Sequence, residues 1–316
     1  MPKTILITGA SDGIGAANAR YLAGPDINLL LTARDEHTLE KVAHDCRMSG
    51  SAVIIFPGDV ASADDMASLR AMAVKSFQRI DVWINIAGIA QVGRFIDIPP
   101  ADFERVIAVN LLGVVNGSRE ALKQFELQKN GTLINVSSVL GIIADPYESA
   151  YVSSKFAVRG FTSSIRHEYQ LSHPDIHICC VLPSSIATNI YAKASNYSTR
   201  GIRLIPPVYS PLLVAKHIRQ LLECPRSEVI VGGGGKLLAA TLRLSPSLAD
   251  VIFRQYVKAL HFKNKATAIT QGNLYRSVKT GRTHTRALPN WFDSSIVVLA
   301  LLCIFKIYVA KRRNYD

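Results

Sequence analysis

The stretch TGASDGIG, residues 8–15, decides the fold of this chain. It follows the apolar run KTILI, and its glycines Gly9, Gly13 and Gly15 are spaced G-x-x-x-G-x-G. Glycines permit a tight turn and a close approach of the backbone, and the first turn of the next helix offers unpaired N–H groups to a pyrophosphate. Because the triplet lies between an apolar strand pattern and a helical pattern, it predicts a dinucleotide-binding site.

The alternation of strand and helix patterns continues along the chain. The apolar runs are KTILITGA, INLLLTA, AVIIFPGD, DVWINIAG, GTLINVSS and IHICCVLP, with a last short run at 229–231. Such continuous apolar runs are typical of strands buried on both faces, and strand–helix alternation with short links gives parallel sheets with right-handed crossovers. The sequence therefore predicts a doubly wound α/β domain over residues 1–262.

The composition fits a cytosolic domain that needs no covalent reinforcement. The chain has 316 residues, of which 48% are hydrophobic, and this is ample for a well-filled core. Its five cysteines follow neither a disulfide framework nor a metal-ligand spacing, so no metal site is predicted. The N-terminus lacks the pattern of a secretory signal, and we expect this domain in the cytosol.

The net charge of +12 is concentrated towards the C-terminus. Ten Lys or Arg residues but only two Asp residues follow position 262, beside an apolar run. This combination is typical of a membrane surface rather than of a face that binds nucleic acid. Residues 263–290 are predicted to be a basic linker, 291–310 a single transmembrane helix of about 30 Å, and 311–316 a basic tail. A buried terminal helix and an in-plane helix are disfavoured because the run has no polar face.

The end of the second apolar run, LLLTARDE, favours NADP(H) over NAD. An acidic side chain at this strand tip would bond the ribose hydroxyls of NAD, whereas the guanidinium of Arg34 can grip a 2′-phosphate. The alternative is that Arg34 merely starts the next helix, and Asp35 beside it can partly neutralise its charge.

Two further strand ends belong to the same predicted cleft. Asp59, in GDV, is placed to accept a hydrogen bond from the adenine amino group. The small residues of NIAG, which starts at Asn85, let the backbone approach the cofactor through Ala87 and Gly88.

The motifs continue with Asn110 in AVNLLG, Ser138 in NVSSVLG, and Tyr151 and Lys155 in YVSSK. In order and spacing the whole series resembles the short-chain dehydrogenase/reductase family over about residues 3–235. The resemblance implies a Rossmann-type sheet and hydride transfer between a nicotinamide and a carbonyl or alcohol carbon. It implies that Tyr151 is the general acid/base and Lys155 its electrostatic partner. It assigns Ser138 to the carbonyl oxygen and Asn110 to the anchoring of a proton-relay water.

The resemblance also implies a set of cofactor contacts and no metal. These contacts are Gly9, Ser11, Gly13, Ile14, Gly15, Arg34, Asp59, Val60, Asn85, Ala87, Gly88, Tyr151, Lys155, Pro183 and Thr188.

Three residues depart from the common family pattern. Ile86 stands where a second asparagine is usual, and Ser184 stands where glycine often follows the proline. Asp12 lies in the phosphate loop, where its charge opposes a phosphorylated cofactor. Thr188 remains available to the nicotinamide carboxamide.

The chemistry of hydride transfer supports the same assignment. Hydride delivery to a ketone leaves an alkoxide that must be protonated, and a phenol of pKa about 10 needs its anion stabilised near neutral pH. Lys155, one helical turn from Tyr151, supplies positive charge, and the Ser138 hydroxyl can hold the substrate oxygen. The alternative is that Tyr151 and Lys155 are ordinary residues of a helix surface.

The family resemblance implies that the loop after the sixth strand, about residues 184–209, is the substrate lid. Its apolar residues favour a lipophilic carbonyl such as a retinoid, steroid or fatty ketone, although they can equally pack only the lid itself. They are Ile186, Ile190, Tyr191, Tyr197, Ile202, Leu204 and Ile205. Residues 206–238 resemble a bacterial-type subgroup whose substrates are mostly unassigned.

Two functions of different classes follow from these observations. The first is an NADP(H)-dependent carbonyl reductase or alcohol dehydrogenase with a single-pass membrane anchor, its catalytic domain facing the cytosol. The second is a non-catalytic dinucleotide-binding adaptor or redox sensor. Both take a small molecule rather than nucleic acid as partner, and the family resemblance implies a homo-oligomer.

Overall fold

The apolar runs singled out in the sequence become strands of one parallel sheet. A computed structural model describes residues 2–278. Within this range the strands are β1 (Lys3–Thr8), β2 (Ile27–Ala33), β3 (Ala52–Pro57), β4 (Val82–Asn85), β5 (Gln91–Val92), β6 (Gly131–Val136), β7 (Ile176–Pro183), β8 (Ser195–Asn196), β9 (Arg200–Ile202), β10 (Glu228–Val231) and β11 (Phe262–Ala266). Seven of them form a sheet in the order β10-β7-β6-β4-β1-β2-β3, with every neighbouring pair parallel. The predicted doubly wound α/β fold is confirmed.

Helices cover both faces of this sheet. They are α1 (Gly13–Leu22), α2 (Glu36–Met48), α3 (Ala63–Phe77), α4 (Pro100–Ile107), α5 (Gly113–Gln128), α6 (Ser149–Ser172), α7 (Ile190–Lys193), α8 (Pro211–Glu223), α9 (Gly233–Leu244) and α10 (Pro246–Leu260). Side chains alternate between the two faces of a strand, so Ile5 and Ile7 pack with α1, α2 and α8, whereas Leu6 packs with α3, α4 and α5. The central strands are therefore apolar on both faces.

The crevice for a ligand lies where the chain reverses direction across the sheet. β1 lies between β2 and β4 in the sheet. After β1 the chain continues to β2 on one side, and after β4 it continues to β6 on the other side. The strand order therefore reverses here, and ligands of open parallel sheets usually bind at such a point. The two loops pack closely, because a Cβ on Gly9 would lie 2.7 Å from the Cα of Ala87, and Gly9 has a positive φ of 67°. The glycines of the TGASDGIG stretch thus bring the two loops together.

The last part of the described chain folds back on the sheet instead of leaving it. β11 pairs antiparallel with β9, and residues 267–278, here named the C-terminal strap, continue across the crevice. Gly272 permits this path, since a Cβ there would lie 2.3 Å from the carbonyl oxygen of Lys193. Residues 263–266, predicted to begin the basic linker, belong instead to β11, whereas residues 267–278 form no regular helix or strand. The rest of the predicted linker, from 279 to 290, lies outside the described residues.

The predicted transmembrane helix at 291–310 and the tail at 311–316 lie outside the described residues. Among the helices within 2–278, none combines the length and the apolar character that a membrane span requires.

Candidate active site

Two adjoining cavities open at the carboxyl ends of the central strands. One encloses about 210 Å³ and is lined by the phosphate loop and the ends of β2, β3 and β4. The other encloses about 200 Å³ and lies below the lid, α9 and α10. Ile14, Thr188 and Ile190 line both cavities and mark where they meet. The arrangement allows a dinucleotide in the first cavity to present one end to a substrate in the second.

Most of the residues predicted to contact the cofactor line the first cavity. They are Gly9, Ser11, Gly13, Ile14, Gly15, Arg34, Asp59, Val60, Ala87, Gly88 and Thr188. Pro183 and Tyr151 line the second cavity instead.

Asn85 lies away from both cavity walls described for residues 2–278. Its side chain is buried inside the fold, where its amide accepts from Trp83 Nε1 at 2.9 Å and donates to Asn135 Oδ1 at 2.9 Å. Strand residues alternate between faces, and this asparagine points towards α5. Its role is to join β4 to β6, and any contact with a cofactor would come from its backbone.

Arg34 lines the cofactor cavity and also holds the C-terminal strap. Its two terminal nitrogens donate to the carbonyl oxygens of Leu274 at 2.9 Å and Asn273 at 2.6 Å. Arg105 donates to the same Leu274 oxygen at 3.0 Å. A guanidinium carries five N–H donors, so these two contacts leave others free for a phosphate. Burial lowers the pKa of Arg34, and the nearby Asp59 carboxylate opposes that shift.

Two acidic residues of the cavity are paired with cations. Asp59 accepts from the guanidinium of Arg105, and this bond helps to hold the Asp59 pKa below its usual value despite burial. Asp12 caps α1 by accepting from the Gly13 amide at 2.7 Å. Its other oxygen pairs with Lys193 Nζ, on the lid, at 2.5 Å. The charge of Asp12 that the sequence sets against a phosphorylated cofactor is therefore neutralised by the lid.

Tyr151 and Ser138 meet on the wall of the second cavity. A hydrogen bond between the two hydroxyls lowers the pKa of the Tyr151 phenol, but burial and the charge of Glu148 raise it by more. Ser138 Oγ also accepts from the Leu140 amide at 3.1 Å, which fixes its position. At neutral pH the phenol therefore carries its proton.

Lys155 and Asn110 lie behind this wall. Lys155 is only 4% exposed, and its Nζ donates to the Val136 carbonyl at 3.0 Å and lies 5.5 Å from the centre of the Tyr151 ring. Burial lowers the Lys155 pKa to about 8. The amide of Asn110 is bonded to the backbone of Ile89 at 2.8 and 2.9 Å. A π-helical turn at Ala108–Leu112 presents this asparagine to the loop after β4.

The second cavity has mainly apolar walls, and the lid forms only part of them. Five of the seven apolar lid residues line it, whereas Tyr197 and Ile202 do not. The sequence did not predict that side chains of α9 and α10 line this cavity. These side chains are Leu238, Thr241, Ala249, Ile252, Phe253 and Tyr256. It also missed Asp145 and Glu148, which line the same cavity. The helical pattern of α9 and α10 signals amphipathic helices but not the cavity that they cover.

Comparisons with known proteins agree with this geometry. The family model described as short chain dehydrogenase matches residues 3–198. The chain is 31% identical over 250 residues to the uncharacterized oxidoreductase YxnA of Bacillus subtilis (strain 168), an alignment that covers 78% of this chain and 70% of the relative.

Two solved structures also resemble this chain. An alcohol dehydrogenase from the archaeon Thermococcus sibiricus, complexed with 5-hydroxy-NADP, has 28% sequence identity and a TM-score of 0.63, with 73% of this chain and 96% of that chain covered. A short chain dehydrogenase/reductase from Burkholderia phymatum in complex with NAD has 22% identity and a TM-score of 0.71, covering 79% and 95% of the two chains, and shares the fold.

Proposed function

This chain belongs to the short-chain dehydrogenase family and is an oxidoreductase of alcohol or carbonyl groups, and we propose that it transfers a hydride between NADP(H) and a lipophilic substrate. The observation that carries the proposal is the contact between two cavities. Tyr151 and Ser138 line the substrate side, and the phosphate loop lines the other side. A non-catalytic adaptor would not need the hydroxyls of Tyr151 and Ser138 beside a dinucleotide cavity.

The residues divide the chemistry of carbonyl reduction between them. A nicotinamide cofactor supplies the hydride when it is bound. The Ser138 hydroxyl holds the carbonyl oxygen, and the Tyr151 phenol donates its proton to that oxygen as negative charge develops. The raised pKa of Tyr151 keeps this proton in place at neutral pH, which suits the reductive direction. Lys155 supports the phenolate that remains after the transfer.

The direct test of this function is cofactor consumption. The full-length chain is mixed with NADPH or NADH and a panel of lipophilic ketones and aldehydes, and absorbance at the nicotinamide band is followed. Turnover with NADPH on an apolar carbonyl supports the proposal, and the absence of turnover with a folded, cofactor-binding chain contradicts it.

The preference for NADP(H) is proposed from the position of Arg34. Its guanidinium lines the cavity at the end of β2 and keeps N–H groups beyond the two that hold the strap. Lys193 offsets the charge of Asp12 at the same cavity. Solved relatives are complexed with either an NADP derivative or NAD, so the preference is a proposal about this chain's own residues.

We expect Arg34→Ala to weaken NADPH by about 1.5–3 kcal/mol, the scale of a hydrogen bond to a charged group, and to leave NADH nearly unchanged. Fluorescence titration of both cofactors measures the two dissociation constants. Tyr275→Phe is the control, because it removes a bond that holds the strap, from the Tyr275 hydroxyl to Asp102 at 2.8 Å, and leaves the charges of the cofactor cavity in place. Equal losses for NADPH and NADH in Arg34→Ala would show that this arginine serves the strap alone.

The lipophilic substrate is proposed from the walls of the second cavity. Side chains from the lid, α9 and α10 surround Tyr151 with apolar surface, and the hydroxyls of Ser138 and Tyr151 mark the reacting end. Burial of apolar substrate area contributes about 25 cal/mol per Å². A carbonyl with a long or cyclic hydrocarbon body is therefore favoured over a small hydrophilic one.

Membrane attachment is proposed from the apolar run at 291–310 alone. We expect the full-length chain to sediment with membranes, to resist salt and alkaline extraction, and to require detergent. A chain truncated after Pro289 is expected to stay in the supernatant and to keep its activity. Release of the full-length chain by high salt would show electrostatic adsorption by the basic residues instead of a spanning helix.

A further inference from the structure

Three buried titratable side chains meet at the wall of the substrate cavity and have no part in the proposed hydride transfer. Asp145 precedes α6, Glu148 lies at its N-terminal end, and His261 follows α10. Asp145 is 4% exposed, and the other two are fully buried. One ligand atom of each lies within 4.8 Å of the others. The fold therefore joins residues that are more than a hundred positions apart.

Most polar atoms of this cluster have no hydrogen-bond partner among residues 2–278. The unpartnered atoms are both carboxylate oxygens of Asp145, Oε2 of Glu148, and both ring nitrogens of His261. The remaining oxygen of Glu148 accepts from the Tyr191 hydroxyl at 2.6 Å and lies 3.5 Å from His261 Nε2. Buried polar atoms are paired in nearly all native proteins, so most polar atoms of this cluster lack a partner that a native fold would normally supply.

The kinds of donor atom indicate which partner would satisfy this cluster. Two carboxylates and an imidazole are the donors that zinc and similar divalent transition metals accept, and three protein ligands with one open position are typical of catalytic zinc sites. Mg²⁺ and Ca²⁺ prefer oxygen donors alone. The Tyr191 hydroxyl orients Glu148, as outer partners of metal ligands do.

We propose that Asp145, Glu148 and His261 bind one divalent transition-metal ion of the zinc class beside the substrate cavity. Asp145 and Glu148 both line the cavity, so an ion held by them is accessible to a polar group of the substrate. The site is separate from the residues that would hold the dinucleotide, and it can be tested without measuring turnover.

The test is a metal titration of the full-length chain. The chain is treated with EDTA, dialysed, and titrated with Zn²⁺ against a chromogenic chelator, with Mg²⁺ as a competitor. We expect one Zn²⁺ per chain, little competition from Mg²⁺, and a loss of affinity of at least about tenfold in Asp145→Asn and in His261→Gln. Zn²⁺ should also raise the melting temperature of the wild-type chain but not that of either variant.

Two matched variants control for the loss of a carboxylate or a histidine elsewhere. Glu120 is a buried carboxylate paired with Arg70 and Lys123, and His217 contacts the Leu213 carbonyl on α8. Glu120→Gln and His217→Gln should bind Zn²⁺ like the wild type. The proposal is overturned if the folded wild-type chain binds no Zn²⁺, or if the cluster variants bind it as tightly as these controls do.

Discussion

Replacing Tyr151 by phenylalanine is expected to reduce kcat by about 10²-fold or more while leaving the dissociation constant for NADPH nearly unchanged. The variant loses one hydroxyl, which the geometry places on the substrate cavity and in a hydrogen bond with Ser138. General acid–base catalysis contributes factors of this size, and the proton has no other donor in the proposed mechanism. Steady-state reduction of a carbonyl at saturating NADPH gives kcat, and fluorescence titration of NADPH gives the dissociation constant.

The matched control is Tyr256→Phe. Tyr256 also lines the substrate cavity, but its hydroxyl donates to the Pro206 carbonyl at 2.5 Å and does not belong to the reacting group. This variant should keep most of its turnover. If Tyr151→Phe retains more than about a tenth of the wild-type kcat, a loss well below that of an essential acid, Tyr151 is not the proton donor.

The cofactor side of the site could be predicted from sequence because its signals are local. A strand end, a glycine loop and a helix start occupy consecutive residues, so Gly9, Gly13 and Gly15 reach the crevice by short-range geometry alone. Tyr151 and Lys155 lie on one helix, and their spacing places them side by side. The parallel sheet with helices on both faces likewise follows from the alternation of strand and helix patterns.

The features that sequence reasoning missed depend on contacts between distant segments. Nothing local to Arg34 shows that the carbonyls of residues 273–274 lie against its guanidinium. The cluster of Asp145 and Glu148 with His261 has no ligand spacing in sequence, since α6 to α10 intervene. The NIAG motif predicts a cofactor contact for Asn85, but strand alternation points its side chain towards α5 and Asn135.

The contact between Arg34 and the strap also makes the strap part of the cofactor cavity. Asn273, Ser277 and Val278 line the cofactor cavity, so a bound dinucleotide would touch residues from both ends of the described chain. The strap is held by bonds to its backbone, with Tyr275 adding a bond from its hydroxyl to Asp102 at 2.8 Å. Substitutions in the strap are therefore expected to alter cofactor affinity rather than the chemistry at Tyr151.

Replacing Lys155 by alanine is expected to damage two steps at once. We expect kcat to fall by on the order of 10²-fold, as it does when a preorganised electrostatic group is removed, and the NADPH dissociation constant to rise by about tenfold. The ammonium is proposed both to stabilise the Tyr151 phenolate and to bind the cofactor ribose. Tyr151→Phe should change only the first quantity, so the pair of variants separates the two roles. A loss of cofactor affinity without a loss of single-turnover rate at saturating NADPH would remove Lys155 from the proton transfer.

The pH dependence of the reduction tests the same lysine in the unmodified protein. Burial lowers the Lys155 pKa to about 8, so the ammonium is charged below about pH 8 and neutral above it. The single-turnover rate with saturating NADPH should therefore fall as the pH rises through about 8. Cys180 faces Lys155, and its own pKa is raised by burial, so it stays a neutral thiol across this range. Lys155→Arg keeps its charge at every pH tested, and the fall near pH 8 should be absent from whatever activity this variant retains. An unchanged fall in Lys155→Arg would assign the titration to another group.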